Sequence, residues 1–233
     1  MTLRLQTIDN NLKGRLALVT GSSGGIGSAV ARAFAAQGCD VGLHYSSSKE
    51  KADTLAQELS RTYPSQLFVP VHADLSQRES TRALVSSLLS QDVVSSKHKA
   101  VSILVANAGL GRRIRDVAEI GEDDWDEMME VNSRSHSMGQ NLATLLAPEG
   151  VTVNIVSPAM IGSTGMIPPP ISEAWDKGCD LEELKKTDPG LAIAASIPVH
   201  RLGSPNEVCE AIIMLARNGY MTGQDILLSG GLK

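Results

Sequence analysis

Residues 20–27 read Thr20-Gly21-Ser22-Ser23-Gly24-Gly25-Ile26-Gly27. The apolar run Leu16-Ala17-Leu18-Val19 precedes them, and Ile26, Val30 and Phe34 follow at helical spacing. A glycine-rich turn between a strand and a helix suits a pyrophosphate. Glycines let the backbone approach the phosphates, and the first helical turn offers unpaired N–H groups at the positive end of its dipole. Gly21, Ser22, Ser23, Gly25, Ile26 and Gly27 are therefore the candidate phosphate-binding residues. A purely structural tight turn would use the same glycines; the strand–turn–helix context favours a ligand.

The next strand ends His44-Tyr45-Ser46-Ser47-Ser48-Lys49, with no carboxylate before Glu50. A carboxylate at this point holds the ribose hydroxyls of NAD and repels a 2′-phosphate. Hydroxyls and a lysine suit the phosphate instead. The reading is NADP(H) in preference to NAD(H), with Tyr45, Ser46 and Ser47 at the ribose.

The elements that must position these groups alternate. Val41 to Tyr45, Leu67 to Val71 and Val101 to Ala106 read as further strands. Gly38 stops the first helix, while Ala52, Leu55, Ala56 and Leu59, then Leu84, Val85, Leu88 and Leu89, mark faces of two more. This βαβαβαβ order demands a mostly parallel sheet with helices on both faces.

Further motifs follow in order. They are Ala73-Asp74-Leu75, Ala106-Asn107-Ala108-Gly109, Val131-Asn132, Val153-Asn154 and Ser157-Pro158-Ala159 with Ile161 and Thr164. Arg201-Leu202-Gly203-Ser204-Pro205, Tyr220-Met221-Thr222-Gly223-Gln224 and Gly230-Gly231 close the series. With the Gly-x3-Gly-x-Gly turn, they resemble the short-chain dehydrogenase/reductase family, and within it the 3-oxoacyl-[acyl-carrier-protein] reductase branch. The resemblance covers nearly the whole chain. It implies a Rossmann-like doubly wound parallel sheet in a single domain, and reduction of a small-molecule carbonyl to an alcohol. It implies adenine contacts at Asp74 and Leu75, cofactor contacts at Asn107, Ala108 and Gly109, and nicotinamide contacts at Pro158, Ile161 and Thr164. Gly24 departs from the basic residue that many NADP-binding relatives carry there.

The family's chemistry needs a tyrosine acid–base, a lysine four residues later and a serine. No tyrosine or lysine lies between Asn132 and Pro158. Tyr45 and Lys49 match Tyr-x-x-x-Lys literally, but at the adenosine end of the cleft, away from the nicotinamide. Tyr63 and Tyr220 read as structural, and His136 as a solvent-facing helix histidine. Asn132 is the sole member of the family's catalytic set that remains, with no lysine to support. Only residues 133–150 separate Asn132 from Val151, where the family needs on the order of 60 residues. The expectation is an internal deletion joined near Ser133-Arg134-Ser135-His136, removing one strand and about one helix. Residues 123–147 would then run as one fused helix, and Val151 to Val156 would enter the sheet beside the fourth strand. Three readings follow: an NADP(H)-dependent oxidoreductase by descent with little turnover, a non-catalytic nucleotide-binding remnant or splice form acting through association, or an unstable product with no activity.

Bulk properties bound the rest. The 233 residues fit one domain over 1–233, with residues 165–200 as an irregular, mobile excursion over the substrate, where Trp175 and Met166 either line a pocket or anchor the loop. A net charge of −5 argues against nucleic acid. Three widely spaced cysteines show no disulfide or metal pattern, which fits a reducing, cytoplasmic setting. No run is long enough for a membrane span. The family is usually homo-oligomeric through the helices altered here.

Overall fold

The computed structural model describes residues 9–109, 135–176 and 178–232. Its first half is the expected alternation: β1 (Leu16–Val19), α1 (Gly25–Ala36), β2 (Asp40–Tyr45), α2 (Lys49–Thr62), β3 (Phe68–His72), α3 (Arg78–Leu89), the short α4 (Asp92–Ser95) and β4 (Ile103–Val105). The four strands are parallel in the order β3-β2-β1-β4. β1 is buried on both faces, hence its unbroken apolar run. On one face α1 and α2 bury Val30, Phe34, Leu55 and Leu59 against Ala17, Val19, Val41 and Leu43. On the other, α3 packs Leu84 and Leu88 against Leu16, Leu18, Val69 and Val71. Pro70 sits within β3, which tolerates it because β3 is the sheet's edge.

The second half holds α5 (Ser135–Leu146), a 3₁₀ turn (Ala147–Glu149), β5 (Ile155–Pro158), α6 (Leu181–Thr187), α7 (Pro189–Ser196), α8 (Pro205–Arg217) and β6 (Asp225–Leu228). α8 starts with a capping box of Ser204 and Glu207 and packs along α1, tying the C-terminal region to the first helix. Among the described residues no helix is long and apolar enough to cross a membrane.

Two expectations are corrected here. β5 does not join the sheet beside β4; it pairs in parallel with β6, Ile155 opposite Asp225 through Pro158 opposite Leu228, as a separate two-stranded sheet. The segment before β5 is already committed to that partner. The Val153 amide donates to Thr222 Oγ1 at 3.1 Å, and Asn154 Nδ2 donates to the Met221 carbonyl at 2.7 Å. β4 is left with β1 as its one ladder partner among the described residues, and Leu104 at its centre is 59% exposed. The excursion, too, is not irregular throughout, since it holds α6 and α7. Asp188 is buried and accepts from the amides of Leu191, Ile171 and Ser172 at 2.8–2.9 Å, capping α7 and fastening the loop before it. α7 buries Leu191, Ala192, Ala194 and Ala195. Of the expected fused helix, residues 123–134 lie outside the described residues.

At the opposite end of the sheet from the glycine turn, Asp40 is fully buried. It accepts from Lys97 Nζ at 2.7 Å, His98 Nε2 at 2.5 Å and the Leu67 amide at 2.7 Å. Burial alone would raise its carboxyl; the bonds from Lys97, Leu67 and His98 outweigh burial and hold it below the usual aspartate range. A depressed folded value means stability that is complete above the unfolded aspartate range and lost as pH falls through the folded value. Asp40→Ala should cost about 2 kcal/mol in urea unfolding at neutral pH. It should also remove part of the native chain's loss of stability below about pH 4. Unchanged unfolding midpoints would contradict this.

Candidate nucleotide site

The register of the parallel strands brings the sequence-derived residues to one edge. Val19 lies opposite both Leu43 and Val105, and Tyr45 lies opposite His72. The turns after β1, β2, β3 and β4 therefore emerge side by side. Thr20 joins the first to the last. Its Oγ1 accepts from the amides of Asn107 and Ala108, both at 2.8 Å, and its carbonyl accepts from Asn107 Nδ2 at 2.9 Å. Gly21 sits at φ +62°, and a methyl group there would lie 3.0 Å from Ala108 Cα. Only glycine meets both demands without strain. Gly27 lets α1 start directly beneath the turn, since a Cβ there would overlap the Gly21 carbonyl.

His44 is the residue that local pattern could not flag. It is buried inside β2, with Nδ1 accepting from the Gly21 amide at 3.0 Å and Nε2 donating to the Ala73 carbonyl at 3.0 Å. Those partners require the neutral tautomer with its proton on Nε2. Burial pushes the imidazole below the usual histidine range, against the opposing bond to Ala73.

Ser22 corrects the expectation for that residue. It is fully buried, and both its amide and its hydroxyl donate to the His44 carbonyl at 3.0 Å. It builds the turn instead of facing a ligand. Ser23 and Gly25 are partly open, and Ser46 and Ser47 are exposed at the end of β2. Tyr45 is half-buried with its ring 5.4 Å from that of His72. Asp74 Oδ1 accepts from the Ser76 hydroxyl at 2.7 Å and amide at 3.0 Å, and these bonds hold the carboxyl below its ordinary range. Leu75 lies beside it, half-buried. Pro158 ends β5, and Ile161 turns its side chain inward against Gly203, so it can meet a ligand only through its backbone. Thr164 lies against Gly25. Asn132 lies outside the described residues, as does the environment of the His136 side chain.

Beside Ser23 a cavity of about 400 Å³ opens between α1 and α2, lined by Ser28, Arg32, Lys51 and Thr54 among others. Arg32 is held in a bidentate pair with Glu58 at 2.7–2.8 Å. Tyr63 packs on Phe68, and Tyr220 is 99% exposed.

The short chain dehydrogenase model matches residues 15–140, more than half of the chain. The chain belongs to that family. A second model, described as enoyl-(acyl carrier protein) reductase, matches residues 136–233. Nodulation protein G of a Rhizobium species is 33% identical over 268 aligned positions, covering 95% of this chain and 98% of that protein. A 3-oxoacyl-[acyl-carrier-protein] reductase of Staphylococcus aureus is 26% identical over 263 positions, covering 93% and 97%. Among solved structures, a blue fluorescent protein from a metagenomic library in complex with NADPH superimposes with a TM-score of 0.76 at 24% identity, covering 95% and 98%. A short chain dehydrogenase from Burkholderia cenocepacia in complex with NADP gives 0.76 at 23%, with the same coverage. These two share the Rossmann-like fold with this chain.

His44 supplies the test of this site. A histidine held neutral in the fold stabilises it fully above the unfolded range, and that contribution falls as pH drops below about 6.5. His44→Gln should lower stability at pH 8 by about 1–2 kcal/mol, through the lost Gly21 or Ala73 partner. It should also flatten the dependence between pH 6.5 and the lower folded value, as read by thermal unfolding across pH. An unaltered pH profile would show that His44 does not hold the turn.

Proposed function

We propose that this chain binds NADP(H) at the strand edge just described and delivers little or no hydride. The single observation that carries the binding is the assembled edge itself. The glycine turn, the β2 serines, Asp74 and the Asn107-Ala108-Gly109 turn lie side by side in a member of a dinucleotide-using family. The preference for the phosphorylated cofactor rests on the end of β2, where Ser46, Ser47 and Ser48 stand and no carboxylate does. NADPH or NADP in the two structural relatives supports the same choice. Gly21, Ser23, Gly25, Ile26 and Gly27 hold the pyrophosphate, Asp74 and Leu75 the adenine, and Pro158, Ile161 and Thr164 the nicotinamide end. The 1–233 unit acts as one nucleotide-binding domain, with 165–200 over the substrate position.

The lost turnover rests on the residues between Asn132 and Pro158, which include no tyrosine and no lysine. An internal deletion is the account we favour. The two family models meet at residues 136–140, beside the expected join. The alignment to nodulation protein G runs over 268 positions, more than the 233 residues of this chain, so positions of the relative face no residue here. Among the described residues the strands divide into four and two, in keeping with a strand lost between β4 and β5. The lineage is carbonyl reduction in the cytoplasm; the chain as it stands is a nucleotide-binding remnant of that chemistry, and its oligomer-forming helices are changed.

Titration of the purified chain with NADPH and NADH by cofactor fluorescence tests the binding. NADPH should bind at least about tenfold more tightly. Ser46→Asp should reverse the order by placing a carboxylate against the 2′-phosphate. Equal affinity for the two cofactors, with no response to Ser46→Asp, would sink the assignment.

A further inference from the structure

The loop after β5 lies across the cradle that the glycine turn builds. A methyl group on Gly25 would fall 2.7 Å from Thr164 Cα and 3.0 Å from the Ser163 carbonyl oxygen. In this class of turn the glycine at that position is bare so that a pyrophosphate can come close. Here the protein's own backbone comes close instead. The loop is fastened at its base: the Gly162 amide donates to the Gly203 carbonyl and the Gly203 amide to the Met160 carbonyl, both at 2.9 Å. Its tip carries strain, because Ser163 sits at φ +58°, a left-handed conformation costly for any side chain but glycine. Gly165 follows at φ +79°, and Thr164 Oγ1 bonds back to the Ile161 carbonyl at 3.1 Å.

We propose that residues 159–165 form a self-occluding arm. They occupy the pyrophosphate's place at the N-terminus of α1, and a dinucleotide enters only when the arm swings away from Gly25. This inference rests on the dinucleotide reading above and adds a closed state to it. The two states compete, so the observed affinity is the open-state affinity reduced by the fraction of molecules that are open. Strain at Ser163 works against the closed state. The ties of Met160 and Gly162 to Gly203 confine the swing to the arm's far half, Ser163 to Gly165.

Two substitutions at Ser163 should move affinity in opposite directions. Proline cannot adopt φ +58°, so Ser163→Pro opens the arm. Glycine adopts it freely, so Ser163→Gly favours closure. NADPH fluorescence titration should show Ser163→Pro binding about tenfold more tightly than the native chain and Ser163→Gly about threefold more weakly. Hydrogen exchange without ligand gives an independent reading. The amides of Gly25, Ile26 and Gly27 should exchange faster in Ser163→Pro while the strand amides of β1 and β2 keep their protection, which also shows that the variant is folded. If native chain and both variants bind NADPH equally, the arm is not a gate, although the dinucleotide site stands. If none of the three binds NADPH, the dinucleotide reading fails and the gate fails with it.

Discussion

A single lateral run of hydrogen bonds crosses the ends of all four strands of the main sheet, and the site depends on it. Asn107 and Ala108 after β4 are tied to Thr20 after β1; Gly21 and Ser22 are tied to His44 in β2; His44 is tied to Ala73 after β3. Each tie is partly or fully buried, so losing a partner leaves a donor or acceptor unsatisfied in low dielectric. The run fixes the glycine turn from both sides, and the turn fixes where α1 begins. The free N–H groups of a helix start are where an anion would be held. The family likeness is thus a statement about this edge as much as about the sheet.

The first half of the chain was legible because its signals are local. The apolar runs of β1 and β2, the 3.6-residue period of α1 and α2, and Gly38 at φ +85° each act within a few residues. The His44–Gly21 bond was not legible. It spans 23 residues, and a histidine in an apolar strand carries no mark of its partner. The excursion was misread for a different reason. Proline and aspartate mark turns and helix starts alike, and here Asp188-Pro189 is a helix start, the aspartate capping and the proline filling the first turn. The pairing of β5 was misplaced because strand runs do not state their neighbours. Thr222 and Asn154 make that choice through bonds across nearly seventy residues.

The divided sheet joins structure to chemistry. In the described residues β4 ends the main sheet with Leu104 exposed, β5 begins a second sheet, and Leu145 and Leu227 in the chain's second half are 70% and 62% exposed. A fold with only about 5–15 kcal/mol of net stability is sensitive to how much apolar surface is left in water. The well-buried part is the β1–β2–β3 region with α1, α2 and α3. The glycine turn and the strand ends around it are assembled, whereas the sequence between Asn132 and Pro158 holds neither a tyrosine nor a lysine.

The most direct test of this account is a single-turnover experiment. Protein in excess over NADPH is mixed with a 3-oxoacyl thioester, and cofactor oxidation is followed alongside the fluorescence of bound NADPH. The account predicts that NADPH stays bound and is oxidised no faster than in a protein-free control, since positioned acid–base groups supply about 10²–10⁴-fold and the sequence between Asn132 and Pro158 offers neither tyrosine nor lysine. Oxidation of the bound cofactor at an ordinary enzymatic rate, about 1 s⁻¹ or faster, would contradict it.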